Sequence, residues 1–228
     1  MTVQIRQLAG IDTVTLSNAL VDVVVLTGKG ADIYSMRSTH SGVDPLWKAR
    51  WGPEHMQSTL LANDSGVNWL ARCPGGWQTL VPSGGIESVV QGAVQPQHGE
   101  ASSVPWRLDG TEEGSTSSVV TLSCRLTRSP LCLRRTIELP NDEATVHIRD
   151  TATNEGGLAF PLTWTHHPTL GPPFLSGDCR ISTNAMSVEI DDTYDLPHVP
   201  YRPPCVSGSD EASGSGLSRE RCKWPDAL

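Results

Sequence analysis

The chain of 228 residues carries a net charge of -8, with 37% hydrophobic and 18% charged residues, a globular rather than disordered balance that suits one all-β domain or two small ones. Its basic residues are scattered, the largest local group being Arg134-Arg135, which excludes a nucleic-acid partner because a phosphate backbone needs a basic patch. No apolar run approaches the roughly 20 residues that span a bilayer, so a membrane is not expected as a partner either.

The N-terminal stretch Met1 to Arg6 lacks the apolar core of a signal peptide. The first fifty residues read as a meander of antiparallel strands. Thr13 to Ser17 alternates, Val21 to Leu26 is a β-branched run, and Gly28-Lys29-Gly30 turns the chain into Ala31 to Met36. Between Trp51 and Ala71, punctuated by Pro53, Asn63-Asp64 and Gly66, only a short helix near Asn68 to Arg72 is suggested. Cys73-Pro74-Gly75-Gly76-Trp77 is a turn, and Gln78 to Gly85 a short extended piece ending in a second glycine pair.

The clearest strands follow. From Ser118 to Leu126 the residues Val120, Leu122, Cys124 and Leu126 share one face, since successive side chains of a strand point to opposite sides. Leu131, Leu133, Ile137 and Leu139 share another, with Arg135 a polar exception among them. Ala144, Val146 and Ile148 alternate with Thr145, His147 and Arg149. Three alternating runs separated by turns predict an antiparallel sheet of a sandwich or barrel. After Pro197 the composition becomes rich in Pro, Ser and Gly, which divides the chain into a β domain over 1–196 and a loop or tail over 197–228. The six cysteines form no CxxC pair, and a reducing, cytoplasmic setting is expected.

Four stretches carry residues suited to chemistry. Gly75-Gly76-Trp77 to Gly84-Gly85 offers close backbone approach and, in Trp77, a ring able to stack on a sugar; the same pattern also fits two tight turns around a core Trp. His98-Gly99-Glu100 places a carboxylate on the same side as the imidazole if the segment is extended. Trp164-Thr165-His166-His167-Pro168 pairs two imidazoles, groups tuned for proton transfer near neutral pH, and a strand would point them to opposite faces. Asp191-Asp192-Thr193-Tyr194-Asp195 reads as a solvated acidic loop. His98, Glu100 and a His of the pair are suitable zinc ligand types but lack any short-range ligand spacing, so no metal is expected.

In this order the motifs resemble the aldose 1-epimerase (galactose mutarotase-like) family. Gly30-Ala31-Asp32-Ile33 and Arg149-Asp150 to Gly156 add to the likeness, which runs from about Val21 to Phe174. The resemblance implies an all-β fold, a β-supersandwich of antiparallel sheets with a sugar in a cleft. It also implies an isomerase of carbohydrate metabolism that interconverts anomers by acid–base catalysis without a cofactor, its partner a small sugar. By the same likeness His167 is the general acid at the ring oxygen and His98 orients the sugar, both counted as catalytic. Arg72, Trp77, Glu100, His166 and Trp164 are the expected substrate contacts. The family's general base is a Glu far downstream, and the chain stops at Leu228 before that region. The expectation is therefore a sandwich incomplete at its C-terminal end, either catalytic or a non-catalytic carbohydrate-binding protein on the same scaffold.

Overall fold

The structure is a computed structural model that describes residues 2–57, 62–182 and 206–207. The chain divides into two compact units, Met1–Phe174 and Leu175–Leu228. The acidic loop at Asp191 to Asp195 and the expected boundary at 196/197 lie outside the described residues.

In the first unit, antiparallel strands build two main sheets. One has six strands in the order β1 (Thr2–Leu8), β2 (Ile11–Ser17), β3 (Val21–Leu26), β4 (Asp32–Ser38), β5 (Trp77–Leu80) and, at the edge, a late strand over Thr165–Pro168. Between β5 and that edge strand the chain makes a small hairpin, β6 (Ser88–Val90) with β7 (Ala93–Gln95), and then the second sheet. That sheet is β8 (Arg107–Glu113), β9 (Ser117–Arg125), β10 (Leu131–Pro140) and β11 (His147–Asn154), paired in the spatial order β11-β10-β9-β8. The edge strand of the first sheet is thus β12. In the second unit, β13 (Ile181–Ser182) and β14 (Val206–Ser207) form a parallel pair.

Alternation in the sequence sets the core. Val14, Leu16, Val23, Val25 and Ile33 of the first sheet cluster with Val120, Leu122, Leu133, Ile137 and Leu139 of the second, all at or near zero exposure. Each such side chain stabilises the fold by about 1.5–3 kcal/mol through removal from water. The strands read at Thr13, Val21, Ser118 and Leu131 are all present. The alternation read from Ala144 to Arg149 falls on a strand that starts only at His147, while Ala144 to Val146 belong to the preceding loop. No helix among the described residues is long and apolar enough to cross a membrane.

Arg135, the polar exception on β10, is 1% exposed. Its Nε and Nη2 donate to the two Asp150 carboxylate oxygens at 2.7 and 2.8 Å, Nη1 donates to the Ala31 carbonyl at 2.9 Å, and Nη2 also donates to Thr79 Oγ1. The guanidinium lies 5.5 Å from the Trp106 ring centroid. A charge taken out of water is tolerated when geometry and hydrogen bonds are this complete. Arg135 therefore bridges the sheets, and it identifies the face of β5 that carries Thr79 as the one turned toward the second sheet.

Candidate active site

The opposite face of the first sheet carries the candidate site. Ile33 pairs with Trp77 across β4 and β5, and one step along that antiparallel register sets Asp32 beside Gln78. Gln78 in turn pairs with His167 across β5 and β12. Asp32, Gln78 and His167 thus form a row over three neighbouring strands, on the side away from the core.

Helix α1 (Ser65–Ala71) brings Trp69 to this row. It starts where Asp64 accepts a hydrogen bond from Val67 N at 2.9 Å, an N-cap that fixes the start of the helix three residues ahead of the one expected at Asn68. Trp69 Nε1 donates to Ser102 Oγ at 3.1 Å, and its ring meets two imidazoles edge to face, His98 at 4.5 Å and His167 at 5.8 Å between centroids. The His98 and His167 rings are themselves 5.8 Å apart and inclined at 43°.

The glycine motifs explain how His98 gets there. Gly76 has a φ of 89°, and a Cβ on it would stand 2.6 Å from the Ile33 carbonyl, so only glycine lets β4 and β5 approach here. Farther along, the Gly84-Gly85 turn holds His98 twice. His98 N donates to the Gly85 carbonyl at 2.9 Å, and the ring Nδ1 lies 2.9 Å from the Gly84 carbonyl.

Those contacts favour one tautomer of each ring. A carbonyl only accepts, so His98 Nδ1 carries a proton. The Gln78 amide donates through Nε2 to the Gly75 carbonyl at 2.7 Å, which turns Oε1 toward His167 Nδ1 at 3.3 Å. Oε1 also only accepts, so His167 Nδ1 carries a proton as well. Among the described residues no protein atom bonds Nε2 of either ring. Both histidines therefore present Nε2, as a proton acceptor when neutral and a donor when charged. Both are half-buried. Burial pushes the His98 pKa below its ordinary value, the Gly84 carbonyl pulls it back up, and a charge on His167 lowers it again.

Behind the row sits a buried ion pair, Lys29 with Asp32, with Lys29 Nζ also donating to the Ser102 carbonyl at 2.8 Å. Asp32 is fully buried and its Oδ1 has no hydrogen-bond partner among the described residues. Burial raises its pKa against the opposing pull of Lys29, Arg135 and His167.

The expected substrate contacts are not all gathered here. His98 does not lie in an extended segment. Its φ is 63° and that of Gly99 is 69°, and this left-handed turn sends Glu100 away from the imidazole. The Glu100 carboxylate is buried and accepts from Thr127 N, Thr127 Oγ1 and Arg128 N at 2.8–2.9 Å, which holds the 127–129 loop. His166 points to the face opposite His167, as strand geometry requires. There its Nδ1 accepts from Trp77 Nε1 at 3.2 Å, and Trp77 and Trp164 pack against the core cluster. Arg72 Nε donates to the Met56 carbonyl at 3.1 Å, at the C-terminal end of α1. His98 and His167 meet on one face, whereas Glu100, Trp77, His166 and Trp164 are engaged elsewhere. Trp69, Gln78, Lys29 and Asp32 also belong to the candidate site, and neither periodicity nor motif reading singled them out as site residues. The signals in the sequence were the Gly30-Ala31-Asp32-Ile33 likeness, which contains Asp32, and the Gly75 to Gly85 stretch, which contains Gln78.

A cavity of about 540 Å³ is lined by residues of the α1 N-terminus and by Ile86, Glu87 and Gln97. It includes neither histidine and flanks the site.

Antiparallel sheets packed in this way, with a paired-histidine face on the first, define a galactose mutarotase-like fold. A galactose mutarotase-like protein from Clostridium acetobutylicum superposes with a TM-score of 0.57 at 12% identity, over 77% of this chain and 56% of that one. The Slr1438 protein from Synechocystis superposes with a TM-score of 0.52 at 21% identity, over 72% and 54%. The chain spans about half the length of these structures. No curated protein matches it. Within this fold the chain belongs to the family described as a domain of unknown function, DUF4432, whose profile matches residues 8–199.

Proposed function

We propose that the chain interconverts the anomers of a free sugar, as aldose 1-epimerases do, with His167 and His98 moving the two protons. The observation that carries this is the pair of half-buried imidazoles, 5.8 Å apart, each bonded through Nδ1 and open at Nε2. Ring opening removes the proton of the anomeric hydroxyl, shifts the C1–O5 electron pair onto O5, protonates O5 and leaves an aldehyde at C1. Rotation about C1–C2 and reversal of these steps give the other anomer. Charged His167 gives its Nε2 proton to O5. His98, whose burial favours the neutral ring, takes the hydroxyl proton at Nε2. Trp69, edge-on to both rings, walls the site on the helix side.

Polarimetry on freshly dissolved α-glucose and α-galactose tests the proposal. Acceleration over buffer that is lost in a folded His167→Ala variant supports it, and no acceleration with either sugar rejects it. A second reading, sugar binding without turnover, draws on the absence of an uncommitted carboxylate among the described site residues, since Glu100 is enclosed and Asp32 is paired with Lys29. Calorimetric binding of the same sugars without acceleration would favour that reading.

A further inference from the structure

We infer that Gln78 is a positioning residue that decides which nitrogen of His167 faces the reaction. The inference rests on the acid–base reading of His167 given above. Gln78 is fully buried in the middle of the Asp32–Gln78–His167 row, and its amide is used at both ends. Nε2 is committed to the Gly75 carbonyl at 2.7 Å, with Cys73 Sγ a further 3.7 Å neighbour. If closing the Gly75 turn were its whole task, Oε1 would have no reason to meet an imidazole. Instead Oε1 faces His167 Nδ1 at 3.3 Å. An acceptor that cannot donate holds the proton on Nδ1 and leaves Nε2 for the substrate.

The amide is also the chemically apt choice. A carboxylate in the same place would add a second negative charge beside Asp32, one strand away. It would also confront the Gly75 carbonyl with an acceptor where that carbonyl needs a donor. A neutral amide serves the turn and the ring together, and selects a tautomer without adding charge. Wrong-tautomer imidazoles lose most of their value in proton transfer, because the lone pair then points at the protein.

The test is nitrogen-15 NMR of the histidine side chains in the full chain, under conditions where the ring signals are those of neutral imidazole. The expected spectrum shows His167 with a protonated Nδ1 and a bare Nε2. Gln78→Leu, which keeps the side-chain bulk and removes the acceptor, is expected to move the ring toward the Nε2–H form and to lower kcat at least about tenfold with little change in KM. Gln78→Glu keeps an acceptor and is expected to return the Nδ1–H signature. A wild-type ring already in the Nε2–H form overturns the inference, as does a Gln78→Leu ring still in the Nδ1–H form. Should Gln78→Leu fail to fold, Gln78→Met replaces it as the variant without the amide acceptor, and a wild-type ring in the Nε2–H form overturns the inference without either. Because the spectrum needs no turnover, an enzyme that proves inactive on sugars overturns the acid–base reading and leaves the tautomer result to stand or fall separately.

Discussion

Strand β5 contributes to two polar clusters, one on each face, and they differ in completeness. On the inner face Thr79 joins Arg135, Asp150 and the Ala31 carbonyl, where the guanidinium makes four hydrogen bonds and is 1% exposed. On the outer face Gln78 joins His167, with His98 and Trp69 closing around it, and two ring nitrogens have no protein partner among the described residues. A buried polar group whose bonds are all made holds structure together. Half-buried titratable groups with one nitrogen held and one open are the arrangement on which the proposed proton transfer rests. One strand thus separates a cluster that stabilises from a cluster suited to proton transfer, one residue apart in sequence.

The contrast can be broken most forcefully from the inside. Asp150→Ala leaves Arg135 as an unpaired buried charge, and a loss of about 3–5 kcal/mol is expected in denaturant titration. His167→Ala on the outer face is expected to leave the unfolding midpoint nearly unchanged while slowing anomer interconversion by roughly 10²–10⁴-fold. Reversal of those two outcomes would erase the distinction between the faces. Glu100→Ala sharpens it. The change exposes the Thr127 and Arg128 amides to a buried vacancy and is expected to cost about 1–3 kcal/mol, with the interconversion rate of the folded protein unaltered. A rate loss in the folded variant would return Glu100 to the substrate site.

The smallest expected effect is on pH dependence. His98 has a folded pKa below its ordinary 6.5. Between those two values the unfolded chain binds more protons than the folded one, so stability falls as pH drops through that window. His98→Asn is expected to flatten this slope, read as the unfolding midpoint between about pH 7 and 5. The same depressed pKa keeps His98 a base below pH 6.5, so the acid limb of the rate profile is expected to lie lower than for an exposed imidazole.

Much of the sandwich was legible because its signal is local. Val120, Leu122 and Cys124 alternate, and a strand follows from the alternation alone. β8 was not legible, since Arg107 to Glu113 is charged and mostly exposed and gains its place by pairing with β9. For the site, strand geometry was enough to separate His166 from His167. The side taken by Glu100 was conditional on an extended backbone, and the left-handed turn at His98 and Gly99 that decides it is visible only once the 98–101 segment docks on Val81. Trp69, Gln78 and Asp32 belong to three segments whose meeting depends on sheet order, and no spacing along the chain encodes it. Arg135 looked like a flaw in a hydrophobic face and is instead the bridge between the sheets.

The most direct test of a two-imidazole device is a double-mutant cycle on the anomer exchange rate, measured by magnetisation-transfer NMR with His98→Gln, His167→Gln and the double variant. Residues that act as one unit give strongly non-additive losses. The double variant is expected to be about as slow as the slower single variant. Losses that multiply, or a double variant as fast as the wild type, would contradict the account.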